Sequence, residues 1–436
     1  MVNRRFQSLA VFAVLLLLNT QSKAQLYFPP TDSDNWETIS PSELNWCNDS
    51  LESLYGYLES VGTKAFMVLK DGKIVTEQYF NKFGPDSLWY WASAGKSLRS
   101  VLLGIAMREG VLSMEDKTSD HIDTGWTSCC PEKEELIKVK HQMSMTSGLD
   151  DRVRDPFCSD DTCLKFLVNP EIRWAYHNAP YSLLKEVLEN STGESSNRYT
   201  RTRVNQITGM SGLWIKSGYN TFFWSNARSM ARFGLLALNR GDWGIKPVLA
   251  DTNYFNLTTN SSQNINPSYG YLWWLNGKAS FMVPGSQFKI SGPLIPNAPS
   301  DMYAAMGANE QRIYVVPSEN LVIIRMGQAT GQMKLAISSF DNILWGKING
   351  LKCVFSNRNR ELESLNIFPN PASNEVQIVI SNTISQDIYG EIYSHNGRLI
   401  KMFEGDKITI EDLSPGLYQV SVVVNGKLFR KKLIIH

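Results

Sequence analysis

The chain has 436 residues, 43% of them hydrophobic and 19% charged, which is typical of a globular protein with two or three domains. The formal net charge is +1 and the basic residues are scattered, so the composition excludes a nucleic-acid-binding surface as the main function. No stretch is apolar and long enough to span a bilayer, so no transmembrane segment is expected.

The first 24 residues have the pattern of a secretion signal. Arg4 and Arg5 precede an apolar run from Leu9 to Leu18, and Ser22-Lys23-Ala24 provides the small residues of a cleavage site. No cysteine follows that site, which argues against a lipid anchor. We therefore expect a signal peptide over residues 1–24 and a mature protein that is soluble and exported.

Six cysteines suit disulfide bonds in an oxidising compartment. Cys158 and Cys163 could close a small loop, and Cys47 and Cys353 could pair if the two ends of the main domain meet. Zinc is the alternative, but the spacing fits no zinc pattern and histidine ligands are lacking nearby. The sequence therefore predicts no metal site and no cofactor.

The first regular elements of the mature chain are a short helix and a hairpin. The helix is predicted from Ser50 to Val61. The hairpin joins the apolar-rich runs Ala65–Lys70 and Lys73–Glu77 through Asp71-Gly72, which is a strong short-range turn signal.

The next stretch, Tyr90 to Lys96, places a serine among small residues and a lysine three positions later. If Ser93 opens the helix predicted to end at Gly110, Lys96 lies about one turn on, on the same side. A serine hydroxyl needs a base, and lysine can serve only if its pKa falls from about 10.4 towards neutrality. The alternative is a serine that caps the helix and a solvated lysine. The apolar positions of the helix keep helical spacing: Leu98, Val101, Leu102, Ile105 and Ala106.

A second polar group follows in the stretch Arg173 to Pro180, which the proline keeps extended. In an extended segment Tyr176 and Asn178 point to the same side and His177 to the other. A tyrosine and an amide facing one pocket suit proton transfer and substrate hydrogen bonding. The alternative is a surface loop whose asparagine caps the next helix.

The rest of the main domain reads as helices and strands, and a short polar segment separates it from a tail with several turn signals. One helix is predicted from the cap Ser225 to Gly241 and another over Gly331–Ile348, and strands are predicted over Tyr269–Trp274, Met302–Gln311, Arg312–Pro317 and Leu321–Arg325. The tail, 365–436, contains the hairpin turns Asn396-Gly397 and Asn425-Gly426, which predict a small β-sandwich.

Residues from about Lys64 to Ile348 resemble the serine β-lactamase-related hydrolases, in particular their class C-like branch. Six pieces in the family's order carry the resemblance: Ser93-Ala94-Gly95-Lys96, Met145–Leu149, Tyr176-His177-Asn178, Ala227–Gly234, Tyr269-Gly270-Tyr271 with Trp274, and the Gln311–Pro317 strand. The resemblance implies an α/β (α+β) β-lactamase/transpeptidase-like fold. In that fold an antiparallel sheet is flanked by helices and joined to an all-helical subdomain.

The resemblance also implies roles for individual residues. Ser93 would be the acylated nucleophile, Lys96 its base and Tyr176 the proton-transfer partner, with Asn178 holding the substrate or the lysine. The oxyanion would be bound by the backbone N–H groups of Ser93 and Gln311.

The sequence departs from the family at its third motif, where a basic or small residue is usual. Ala308-Asn309-Glu310 stands there, directly before Gln311. We therefore rank an esterase or amide hydrolase above a β-lactamase. The alternatives are a penicillin-binding D,D-peptidase and a non-catalytic surface-binding protein on the same fold.

The tail resembles the type IX secretion C-terminal sorting domain through Phe368–Pro371, Asn396-Gly397 and Pro415–Tyr418, with a basic-then-apolar end. That implies secretion machinery as a partner and passage through the periplasm of a Gram-negative bacterium to the surface or medium. A carbohydrate-binding sandwich is the alternative. The predicted domains are the signal peptide (1–24), the hydrolase domain (25–355), a linker (356–364) and the sorting domain (365–436).

Overall fold

The chain forms two compact units, Met1–Cys353 and Val354–His436, in a computed structural model. The structure describes residues 26–330, 339–353, 365–380, 388–424 and 427–436. Three predictions lie outside the described residues: the signal peptide, the linker 356–364 and the Asn425-Gly426 turn. The first part of the helix predicted from Gly331 does so as well.

Antiparallel strands form the frame of the first unit. Among its described residues the strands are β1 (Thr63–Lys70), β2 (Lys73–Tyr79), β3 (Trp89–Tyr90), β4 (Leu213–Ser217), β5 (Asn220–Ser225), β6 (Trp274–Leu275), β7 (Ser280–Phe281), β8 (Ile290–Ser291), β9 (Tyr303–Gly307), β10 (Gln311–Val316) and β11 (Leu321–Gly327). Six of them form one sheet in the order β2-β1-β11-β10-β9-β6. A smaller sheet, β3-β5-β4, and the pair β7-β8 complete the strands.

The predicted hairpin and the predicted run of consecutive strands are both confirmed. Asp71 and Gly72 take positive φ angles of 51° and 84°, as a tight turn between β1 and β2 requires. β9, β10 and β11 pair in sequence order. The sheet closes through a distant pairing, because β1 lies against β11 with Val68 opposite Ile323.

Helices cover both faces of this sheet. Those described are α1 (Asn48–Ser60), α2 (Gly95–Arg108), α3 (Ser119–Ile122), α4 (Pro131–Glu134), α5 (Val139–Met143), α6 (Asn178–Ser182), α7 (Leu184–Thr192), α8 (Ser196–Thr200), α9 (Gln206–Thr208), α10 (Ala227–Leu238), α11 (Thr252–Thr258) and α12 (Ser339–Asn349). α10 packs closely on one face, since a Cβ on Gly234 would lie 2.4 Å from Val322. α12 covers the opposite face, where Asp341 meets Arg312 and Tyr314. None of the described helices is long and apolar enough to cross a membrane.

Both disulfides that the sequence allowed are present. Cys47, just before α1, is bonded to Cys353, just after α12, and Cys158 is bonded to Cys163. Cys129 and Cys130 remain free thiols, the first half-buried and the second exposed.

The second unit contains seven described strands in two antiparallel sheets. They are β12 (Leu365–Phe368), β13 (Glu375–Ile380), β14 (Tyr389–Ser394), β15 (Leu399–Glu404), β16 (Lys407–Thr409), β17 (Gly416–Val424) and β18 (Lys427–Ile435). The sheets run β12-β13-β16 and β15-β14-β17-β18 and share one apolar core. Asn396-Gly397 forms the predicted turn between β14 and β15, with Gly397 at a φ of 85°. The predicted fold class, including the small C-terminal β-sandwich, is confirmed.

Candidate active site

Ser93 lies in a single helical turn, Ala92–Ala94, that leads directly into α2. Ala92 takes a φ of 47°, a left-handed conformation that residues other than glycine rarely adopt. Buried Trp91 fixes the turn: its backbone N–H donates to the Phe223 carbonyl at 2.8 Å and its indole N–H to the Ser225 hydroxyl at 2.8 Å. Ser93 therefore lies at the start of a helix, directly after two residues that are held by hydrogen bonds (Trp91) and by a strained backbone conformation (Ala92).

Lys96 lies one turn further, on the buried side of α2, and is only 4% exposed. Its ammonium donates to Asn178 Oδ1 at 2.9 Å and lies 3.6 Å from the centre of the Tyr181 ring. Burial lowers the pKa of Lys96 to about 7. An amine with this pKa is half neutral near physiological pH and is able to accept a proton.

Tyr176 stands beside both residues. It lies close enough to Ser93 for that side chain to influence its pKa, and its ring centre lies 5.5 Å from the Lys96 ammonium. Burial raises the pKa of Tyr176, and the neighbouring Ser93 hydroxyl opposes part of that rise. The phenol therefore stays protonated at neutral pH and can donate or relay a proton.

Two aromatic side chains and a backbone hydrogen bond fix the position of Tyr176. Its ring stacks on Trp274 with ring centres 5.6 Å apart and packs edge-on against Tyr269 at 6.0 Å. The backbone just before it is anchored, because the Ala175 N–H donates to the Met145 carbonyl at 2.9 Å. The motifs at Met145–Leu149 and Tyr269–Trp274 therefore support the tyrosine rather than line the pocket.

Ser93, Tyr176 and Asn178 line one pocket of about 470 Å³. Most of the other residues that line this pocket were not predicted from the sequence. The lining residues are Tyr90, Ala92, Ser93, Asp151, Pro156, Phe157, Tyr176, Asn178, Asn220, Phe222, Pro284, Gly285 and Ala308. Only Asp151 among these carries a charge, and it is paired with Arg173 at 2.6 Å. The pocket is otherwise mostly apolar.

Gln311 does not reach this pocket. It is the first residue of β10 and fully buried, and its side-chain amide donates to the carbonyls of Asn309 and Gly327 at 2.9 and 2.7 Å. Ala308 lies there instead, because β9 ends at Gly307 and a short turn separates the two strands. Ala308, three residues before Gln311, is thus the residue of this stretch that lines the pocket.

His177 is not part of the pocket. Its imidazole is 2% exposed, and burial lowers its pKa to about 4. Tyr176 and Asn178 line the pocket together, as predicted, but the segment is not extended up to Pro180, because α6 begins at Asn178. Within the described ranges, no group of three or more His, Cys, Asp or Glu side chains could hold a metal ion.

An antiparallel sheet with helices on both faces and a Ser-x-x-Lys helix that contacts β9 defines a β-lactamase/transpeptidase-like fold. The chain belongs to the Beta-lactamase family, since the model of that family matches residues 58–344, more than half of the chain. A second model, the secretion system C-terminal sorting domain, matches residues 366–436. The family consists generally of serine hydrolases, and the sorting domain marks a secreted or cell-surface protein.

Solved structures share the fold at low sequence identity. A Bacillus anthracis protein assigned as a 6-aminohexanoate-dimer hydrolase superposes with a TM-score of 0.56 and 16% identity, covering 74% of this chain and 89% of its own. A penicillin-binding protein homologue from Caulobacter crescentus superposes with a TM-score of 0.53 and 12% identity, covering 69% and 96%. No curated protein sequence matches the chain. At these identities the likeness concerns the fold alone.

Proposed function

We propose that this protein is a secreted serine hydrolase that cleaves an ester or amide bond through an acyl-enzyme on Ser93. The observation that supports this most strongly is the buried Lys96, whose pKa near 7 makes it a competent base one turn from the serine. The alternative, a helix-capping serine with a solvated lysine, does not fit the burial of Lys96. It does not fit Ser93 either, which lines the pocket with Tyr176, while Ala94 is the N-cap of α2.

Each step of the reaction has a residue to carry it. Ser93 Oγ attacks the carbonyl carbon while its proton passes to Lys96, directly or through Tyr176. The negative oxygen of the tetrahedral intermediate is stabilised by backbone N–H groups, which we assign to Ser93 and Ala308. The bond to the leaving group then breaks, and the leaving oxygen or nitrogen takes a proton from Tyr176, which takes up in turn the proton held by Lys96. Water hydrolyses the acyl-enzyme by the same route in reverse and restores Ser93.

The pocket favours substrates without a carboxylate. A β-lactam or a peptide ending in D-Ala would need a facing cation. Among the described residues that line the pocket none is basic, and the walls include Phe157, Phe222 and Pro284. We therefore propose neutral, partly apolar esters or amides. Faster turnover of a chromogenic cephalosporin than of any small ester would contradict this choice.

Active-site labelling tests the nucleophile directly. A fluorophosphonate probe should react once per chain, forming a bond between Ser93 Oγ and phosphorus and releasing fluoride. Peptide mass spectrometry should then locate the adduct on Ser93. Labelling at another residue, or none in a preparation that hydrolyses esters, would refute the proposal. A protein that neither labels nor hydrolyses any ester or amide would support the surface-binding alternative.

The pH dependence of kcat/KM tests the base. Lys96 acts as base only when neutral, and its pKa of about 7 predicts a rate that rises about tenfold per pH unit below 7 and levels off above it. A lysine with its ordinary pKa would instead give a rate still rising at pH 9. His177 cannot produce the same midpoint, because burial lowers its pKa to about 4. The measurement is hydrolysis of a small aryl ester from pH 5 to 9, with the uncatalysed rate subtracted.

A further inference from the structure

A buried charged cluster lies behind the pocket, on the opposite face of the sheet from α10. Arg312 on β10 is fully buried and binds Asp341 on α12 through two hydrogen bonds of 2.5 and 3.0 Å. Tyr314 donates its hydroxyl to the same carboxylate. Replacing such a buried pair by apolar residues is often neutral for stability, so the need to hold α12 does not by itself account for it.

The Arg312 guanidinium also binds a backbone carbonyl that lies next to the pocket. Arg312 Nη1 donates to the carbonyl oxygen of Gly307 at 2.6 Å. Gly307 lies against the turn that carries the nucleophile, since a Cβ at Gly307 would come within 3.0 Å of the Ser93 nitrogen. The next residue, Ala308, lines the pocket with Ser93. Arg312 therefore binds the carbonyl end of the peptide group that joins the sheet to the pocket wall.

A trans peptide group has its C=O and N–H on opposite sides. With the Gly307 carbonyl held by Arg312 on the buried side, the Ala308 N–H of the same peptide group is directed away from Arg312. A cationic hydrogen bond to the carbonyl also polarises the peptide and makes its N–H a stronger donor. The positive charge of Arg312 also acts on Tyr176. It lowers the pKa of that phenol, although the larger effect of burial raises it.

We propose that Arg312 is a positioning residue that orients and polarises the Gly307–Ala308 peptide group, so that the Ala308 N–H stabilises the oxyanion. This inference rests on the proposed function. Removing one oxyanion donor typically costs about 10²- to 10³-fold in kcat, and Arg312 acts on the donor rather than being it. We expect Arg312→Met to lower kcat by about 30-fold with KM within about twofold of the wild type.

Arg325 provides a matched control. It is the cross-strand partner of Arg312 on β11 and is equally buried. Its guanidinium donates to the carbonyls of Asn309 and Glu310 at 3.2 and 3.0 Å, further along the turn than Gly307. Arg325→Met should lower the melting temperature as much as Arg312→Met does, but should keep kcat within about threefold of the wild type.

The decisive measurement is the affinity for an aryl boronic acid, whose tetrahedral adduct on Ser93 places an oxygen at the oxyanion position. In Arg312→Met this affinity should fall by the same factor as kcat, while the midpoint of the pH profile stays near 7. In Arg325→Met it should remain near the wild-type value. Arg312→Lys keeps the charge but cannot make all four hydrogen bonds of the guanidinium, which are two to Asp341 and one each to the Gly307 and Gln311 carbonyls. It should lose about fivefold in both quantities and serves if the methionine variant does not fold.

Three results would overturn the inference. One is a folded Arg312→Met variant with wild-type kcat. Another is that both arginine variants change kcat, KM and boronate affinity to the same extent, which would indicate a merely structural role. The third is a folded Arg312→Lys with unchanged kcat and boronate affinity. Failure of the proposed function is distinguishable, because Ser93→Ala would then hydrolyse the ester as well as the wild type.

Discussion

Replacing Ser93 with alanine is expected to reduce the turnover of p-nitrophenyl acetate by about 10⁴- to 10⁶-fold, the loss typical of a missing catalytic nucleophile. The variant should fold normally, because Ser93 is partly exposed and lines the pocket rather than the core. Steady-state hydrolysis with purified protein, together with a melting curve, measures both quantities.

Ser147 provides the control for this substitution. It also stands beside a glycine, but it is buried and its hydroxyl accepts from the Leu149 N–H at 3.4 Å. Ser147→Ala should keep turnover within about threefold of the wild type. Retention of more than a tenth of the activity in Ser93→Ala, or its loss in Ser147→Ala, would show that the nucleophile has been wrongly assigned.

Replacing Lys96 with methionine is expected to lower kcat by about 10²- to 10⁴-fold, the range of general-base catalysis, and to stabilise the fold. The pKa of the buried amine is about 7 in the folded protein against 10.5 when exposed. Between these values the unfolded chain binds more protons, so the wild type gains stability as pH rises from 7 towards 10.5. Methionine removes this dependence and fits the apolar surroundings.

The stability gain should be largest at neutral pH and shrink as pH rises. At pH 7 we expect Lys96→Met to be more stable by about 2 kcal/mol, after the cost of leaving Asn178 without its donor. By pH 9 the difference should decrease by roughly 2 kcal/mol. Urea unfolding at the two pH values measures it, with Lys185→Met as the control, because that lysine is a partly exposed partner of Glu189. A Lys96→Met variant less stable than wild type would show that the amine is not held in the environment described.

Elements formed by residues close together in the sequence could be predicted from local sequence patterns. The Asp71-Gly72 turn, α2 with its apolar spacing, and the consecutive strands β9 to β11 all follow from neighbours in the sequence. The pairing of β1 with β11 does not, because it joins segments about 250 residues apart and no local pattern marks it. For the same reason the apolar pocket walls around Phe157 and Phe222 could not be predicted.

The turn after Gly307 shows why the boundary between β9 and β10 was not predicted. Asn309 and Glu310 take φ angles of 59° and 49°, which normally call for glycine. Since neither position is a glycine, the sequence predicted one strand from Met302 to Gln311. The carbonyls of both residues accept hydrogen bonds from buried Arg325 on β11. No local pattern marks a contact with another strand, so the turn could not be predicted.

The bond between Cys47 and Cys353 has a consequence for the life of the protein outside the cell. It ties the segment before α1 to the segment after α12, so the first unit is a covalently closed loop. Any cut after residue 353 would detach the sorting domain without creating a loose end that can unravel α12 from the sheet. A carboxypeptidase trimming the new terminus would meet this crosslink before it reached Asp341. Removal of the sorting domain and the durability of the first unit are thereby independent of each other.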